Sequence, residues 1–132
     1  MIVADTNIIA YLFLESEHTQ KARQWLAADS EWHVPPLWQS EFMNILALYM
    51  RKELLSLKQA IAIQQQAASR LIEYEHQPLA KDVLTLAKQS GCTAYDCEFI
   101  AAAKALGCSL LTADKALLQA FPEVTVAFAR SK

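Results

Sequence analysis

Apolar residues recur along the chain in two periods, and each change of period predicts a change of element. The opening run Ile2, Val3, Ala4 is continuously apolar and stops at Asp5, which predicts a short strand handing over to a helix across 6–14. Over 18–28, Ala22 and Leu26 share one stripe while Lys21, Arg23 and Gln24 fall elsewhere, the pattern of an amphipathic helix. Trp32, His33 and Val34 precede Pro35 and Pro36, and residues before proline are pushed to extended backbone, so 32–34 predicts a second strand. Leu37, Ile45 and Leu48 fall on one face of a helix predicted across 37–52. Ser56 and Gln59 have the spacing of a capping box, which opens a helix running to about residue 74. Helices across 79–89 and 94–106 end at Gly91 and Gly107, as helices that close on a C-terminal glycine do. A strand at 109–112, a short helix at 114–121 ended by Pro122, and a strand at 124–128 complete the order.

Strands separated by helices predict an α/β fold: a short parallel sheet flanked by helices in three layers. Composition agrees. Hydrophobic residues make up 54% and charged residues 20%, which excludes a disordered chain. The 22 alanines and 18 leucines, against 2 glycines and 4 prolines, favour helices and argue against an all-β sandwich. At 132 residues the expectation is one domain, 1–132, with no repeat or linker. No apolar run approaches the roughly 18 residues needed to cross a bilayer, and the N-terminus lacks the basic region of a signal peptide. Three cysteines without a C-x-x-C spacing are expected to be reduced in a cytoplasmic protein. The formal charge of −2 gives no basic field that would announce a nucleic-acid binder.

In parallel sheets, ligands bind beyond the carboxyl ends of the strands, and two predicted strands here run into aspartates, Asp5 and Asp114. Either residue suits a helix N-cap, and Thr93 with Asp96 fits a variant capping box. Glu41 fits a cap less easily, because it shares its stripe with Leu37, Ile45 and Leu48. Asp96 shares a stripe with Phe99, Ile100 and Ala103. A carboxylate facing a core costs on the order of several kcal/mol unless something compensates it. No lysine or arginine lies on either stripe; a shared divalent cation would serve. Carboxylates alone suit a hard ion, Mg²⁺ or Mn²⁺, and the scattered His18, His33 and His76 provide no zinc pair. The chemistry that follows is metal-assisted phosphodiester hydrolysis. Asn7 stands where a haloacid-dehalogenase phosphatase needs a second aspartate, and two isolated glycines cannot build a phosphate loop. A serine-hydrolase elbow is absent, and a chain this short leaves little room for the sugar cleft of a glycosidase. The other acids, including Glu98, read as solvated.

Taken together, Ile-Val-Ala-Asp5-Thr6-Asn7, Glu41 in a mid-chain helix, Thr93-Ala-Tyr-Asp96 and Leu-Leu-Thr112-Ala-Asp114-Lys115 resemble a PIN domain, and more narrowly the VapC-type toxins of bacterial toxin–antitoxin pairs. The resemblance spans essentially the whole chain. It implies a Mg²⁺- or Mn²⁺-dependent endoribonuclease with Asp5, Glu41, Asp96 and Asp114 as its acidic site. It also implies Thr112, Asn7 and Thr6 as accessory residues, an RNA substrate, a cognate antitoxin and a homodimer. Cys97 stands where such proteins often have alanine. RNA contacts are expected from basic residues near the mouth: Lys115, Arg51 and Lys52, with Arg130 and Lys132 in the tail. A PIN-fold RNA-processing nuclease without an antitoxin, and a PIN-fold interaction module without catalysis, remain open alternatives.

Overall fold

The computed structural model describes residues 1–130. Four short strands form one parallel sheet in the order β2-β1-β3-β4: β1 Ile2–Ala4, β2 Trp32–His33, β3 Leu110–Thr112 and β4 Thr125–Ala127. Val3 is paired with His33 on one side and Leu110 on the other, so β1 and β3 lie side by side in the middle. Central parallel strands are covered on both faces. That is why Ile2, Val3, Ala4, Leu110, Leu111 and Thr112 are all buried, with no alternation of apolar and polar positions.

Seven α-helices among the described residues flank the sheet: α1 Thr6–Phe13, α2 Thr19–Ala28, α3 Trp38–Arg51, α4 Leu57–Leu71, α5 Ala80–Ser90, α6 Ala94–Leu106 and α7 Lys115–Ala120. The capping box of α4 is complete, Ser56 and Gln59 each bonding the other's backbone. Gly91 and Gly107 both cap their helices with left-handed backbone, at φ 74° and φ 69°.

Three details depart from the periodicity. The inward stripe of α3 is Trp38, Phe42 and Leu46, one position round from the predicted stripe, and Leu48 is 41% exposed. Two stripes compete on this helix, and the one carrying Trp and Phe buries more apolar area and prevails. In α2 the inward residues are Thr19, Ala22 and Trp25, with Leu26 only half-buried. Trp25 goes inward because its indole N–H reaches the Phe128 carbonyl at 3.0 Å. Finally, α4 stops at Leu71 and a 3-10 turn, Ile72–Tyr74, replaces its predicted last turn. The tighter turn lets Tyr74 and His76 bond the backbone of Val34, which thereby bridges to Glu75 just outside β2.

The core runs from Trp32, Trp38 and Phe42 through Ile8 and Ile9 to Phe99, Ile100 and Leu117. Each such side chain contributes about 1.5–3 kcal/mol on burial. This packing holds the carboxyl ends of β1 and β3, the N-terminus of α6 and the start of α3 in fixed relation. The three cysteines are reduced thiols, Cys97 buried and Cys92 and Cys108 half-buried. Among the described residues no helix is long and apolar enough to cross a membrane.

Candidate active site

Asp5 follows directly on β1, and its backbone N–H continues the sheet by bonding Leu111 at 3.1 Å. Its carboxylate caps α1. Oδ1 accepts from the Thr6 N–H at 2.8 Å, and Oδ2 accepts from the Thr112 hydroxyl at 2.7 Å. Thr112, the last residue of β3, is fully buried and also accepts the Asp114 N–H at 3.0 Å. Asp114 caps α7 through the Ala116 N–H at 2.9 Å. The Thr6 hydroxyl donates to Glu41 Oε1 at 2.7 Å, tying α1 to α3. Asp96 sits in the first turn of α6, its N–H on the Thr93 hydroxyl at 3.1 Å. The cap roles foreseen for Asp5, Asp114 and Thr93 are therefore real, and they coexist with a second arrangement.

That arrangement is a cavity of ≈ 250 Å³ lined by Asp5, Thr6, Asn7, Glu41, Asn44, Ile45, Asp96 and Asp114. It brings together all four acids that the sequence singles out, and its lining contains no lysine, arginine or histidine. The electrostatics follow. Burial pushes the Asp5 carboxyl above its ordinary value; the Thr112 and Thr6 bonds oppose the rise, and the charges of Asp96 and Asp114 add to it. Burial raises Glu41 too, opposed by the Thr6 hydroxyl and reinforced by Asp5, Asp96 and Glu98. Asp96 is raised by burial and then by Asp114, with Thr93 pulling the other way. Burial first, and mutual repulsion after it, thus hold Asp5, Glu41 and Asp96 back from ionisation.

The donor chemistry, carboxylates and amides only, suits a hard divalent cation. Among the described residues, however, no three His, Cys, Asp or Glu side chains stand close enough to hold an ion directly. Such a donor set would still suit Mg²⁺, which binds through few protein ligands and keeps several of its waters.

Other features fall outside the pocket. Lys115, Arg51 and Lys52 are exposed and do not line it. Arg130 is a correction. It lines a separate cavity with Met1, Ile2 and Cys108, at the opposite end of β1 from Asp5, and not the acidic pocket. Lys132 lies outside the described residues. A larger open groove of ≈ 880 Å³, lined among others by Glu15, Arg23, Arg70 and Glu73, mixes both signs of charge and has no acid pressed on acid. Two residues escape the sequence reading. Asn44 lines the pocket, and its signal is its place one helical turn beyond Glu41. Glu98 is half-buried, with its own carboxyl raised by burial, and its charge acts on Glu41.

The sequence profile of the PIN domain matches residues 2–122. The chain belongs to the PIN domain family. Among curated proteins this PIN domain is 29% identical to ribonuclease VapC3 of Pyrobaculum aerophilum over 124 residues, which cover 92% of this chain and 95% of the relative. Among solved structures, PAE2754 from Pyrobaculum aerophilum superposes with a TM-score of 0.75 at 20% identity, covering 96% of this chain and 83% of that one. FitAcB from Neisseria gonorrhoeae gives a TM-score of 0.71 at 20% identity, covering 95% and 96%. At that identity the two structures establish the PIN fold alone.

Proposed function

We propose that this PIN domain, a single unit over 1–132, is a divalent-metal-dependent endoribonuclease that acts in the cytoplasm as the toxin of a toxin–antitoxin pair. One observation carries the reading: four carboxylates share a pocket without a cationic neighbour, and three of them are held above their ordinary pKa. Such a pocket needs positive charge from outside. The similarity to a protein named ribonuclease VapC3 supports an RNA substrate.

Asp5, Glu41, Asp96 and Asp114 would hold Mg²⁺, with Mn²⁺ able to substitute. When bound, the ion activates a water and neutralises charge on the leaving oxygen. The chain's own groups prepare the site. Thr112 and Thr6 donate to Asp5, orienting its carboxylate and opposing the rise in its pKa. Thr6 also donates to Glu41 Oε1, which ties α1 to α3 and fixes the Glu41 carboxylate at the pocket. Lys115, Arg51 and Lys52 supply the positive charge that draws in the RNA backbone. A homodimer and a cognate antitoxin that places a basic side chain in the pocket complete the proposal.

The test is cleavage of a single-stranded oligoribonucleotide by the purified chain. Cleavage is expected with Mn²⁺, to stop in EDTA, and to fall by orders of magnitude in Asp96→Asn. Equal cleavage in EDTA, or by the variant, would overturn the assignment.

A further inference from the structure

A phosphodiester brings a full negative charge to this pocket, and the pocket's own carboxylates repel it. A bound cation offsets part of that repulsion. The remaining non-bridging oxygen still needs N–H or O–H donors, and the lining offers few. It holds no lysine, arginine or histidine, and the Thr6 hydroxyl is committed to Glu41 at 2.7 Å. Among side chains, what is left is the amides of Asn7 and Asn44. Each carries two N–H donors. Among the described residues neither amide has a hydrogen-bond partner in the chain.

Asn44 is the better placed of the two. Residues three apart on a helix are surface neighbours, so Asn44 necessarily stands one turn beyond Glu41 on the same face of α3. The turn that carries it is rigid, because Trp38, Phe42 and Leu46 anchor the opposite side of α3 in the core. An uncommitted, exposed donor on a rigid support beside the carboxylates is what orienting an anionic substrate requires.

We propose that Asn44, assisted by Asn7, donates a hydrogen bond to a non-bridging oxygen of the scissile phosphate and so sets the register of RNA over the four carboxylates. The proposal rests on the ribonuclease reading above and adds a substrate-positioning residue to it. The competing role for the same side chain is as an oxygen ligand of the cation. The two roles separate in Asn44→Asp, which removes the N–H donors and supplies a better metal ligand.

The experiment compares Asn44→Ala and Asn44→Asp with the parent. Cleavage of a single-stranded oligoribonucleotide of mixed sequence is measured with Mn²⁺. Binding of the same fluorescent RNA is measured by anisotropy in an Asp96→Asn background, and Mn²⁺ binding by calorimetry. Asn44→Ala should lose roughly 10- to 100-fold in kcat/KM and in RNA affinity, the cost of one hydrogen bond to a charged group, with Mn²⁺ affinity unchanged. Asn44→Asp should lose more than Asn44→Ala, since a carboxylate repels the phosphate. Two results would overturn the proposal: Asn44→Ala cleaving and binding RNA as the parent does, or Asn44→Asp cleaving at least as well as the parent. A parent that neither cleaves nor binds the RNA refutes the ribonuclease reading itself, and the role of Asn44 falls with it.

Discussion

Replacing Thr112 by valine removes one hydroxyl from the centre of the site and leaves the side-chain shape almost unchanged. That hydroxyl is fully buried, donates to Asp5 Oδ2 at 2.7 Å and accepts the Asp114 N–H at 3.0 Å. The lost bond to Asp114 costs about 1 kcal/mol, and the lost bond to an ionised Asp5 about 1.5–3 kcal/mol. The expected destabilisation at neutral pH is therefore about 2.5–4 kcal/mol, a large part of the 5–15 kcal/mol typical of a whole domain. It should also depend on pH. The Asp5 carboxyl is raised in the folded parent, and loss of the Thr112 bond, which lowers it, raises it further. Below the parent's folded pKa both proteins carry a protonated Asp5, and only neutral hydrogen bonds differ, worth about 2 kcal/mol in all. As pH rises through the parent's folded pKa to the variant's, the parent releases its proton and the variant retains it. The variant then loses a further ~0.5–2 kcal/mol, the difference between a hydrogen bond to an ionised carboxylate and one to a neutral carboxyl. Urea unfolding of both proteins in EDTA, from about pH 4 to about pH 8, measures this difference directly. A difference that is flat with pH, or larger in acid, would show that Thr112 does not stabilise the Asp5 carboxylate.

Three further outcomes follow from the same charges. Asp96→Asn should raise the thermal midpoint of the metal-free protein, and more so at neutral than at acid pH: a carboxyl raised in the folded state destabilises it as pH climbs through that raised value. Scanning calorimetry in EDTA checks this, and an unchanged midpoint at neutral pH would remove Asp96 from the cluster. Added Mg²⁺ or Mn²⁺ at about 100 times its dissociation constant should stabilise the parent by about 2.7 kcal/mol at neutral pH, and less in acid where protons compete. Identical midpoints with and without metal would count heavily against the site. Saturating Mn²⁺ should weaken binding of a cognate antitoxin, because an arginine in the pocket competes with the ion; unchanged affinity, together with an antitoxin whose basic residues can be replaced without effect, would place inhibition elsewhere.

Most of the architecture is legible in the sequence because local signals agree with one another. The capping box at Ser56 and the glycines at 91 and 107 mark helix ends through backbone chemistry that tertiary packing does not override. Rotation of a helix about its axis is less legible. On α3 the stripes through Leu37 and through Trp38 are both apolar, and only the size of Trp38 and Phe42 decides which faces inward. Glu41 therefore borders the core at the pocket's edge, where its carboxyl is half-buried. Asp5 and Asp114 stand out because each terminates a buried strand. Asn44 does not stand out, since a polar residue on the wet side of a helix violates no pattern; only the assembled cavity shows what it faces. Arg130 illustrates the converse, a basic residue whose place in three dimensions no local signal reports.

The same acids that cap or open helices line the pocket of the proposed active site. Asp5 and Asp114 are N-caps, and Asp96 and Glu41 lie in the first turns of α6 and α3. Every acid of the pocket thus stands at the start of a helix, where unpaired N–H groups and the positive end of the macrodipole favour negative charge by about 0.3–1 kcal/mol each. That is how the fold tolerates four carboxylates around ≈ 250 Å³ with no basic side chain among them. Helix termini supply partial charge in fixed positions and leave carboxylate oxygens open, whereas a lysine or arginine would close the site with an ion pair. The compensation is deliberately incomplete in its effect. Asp5, Glu41 and Asp96 stay raised despite their caps and hydrogen bonds, and the proposed divalent cation would supply the positive charge that the chain does not.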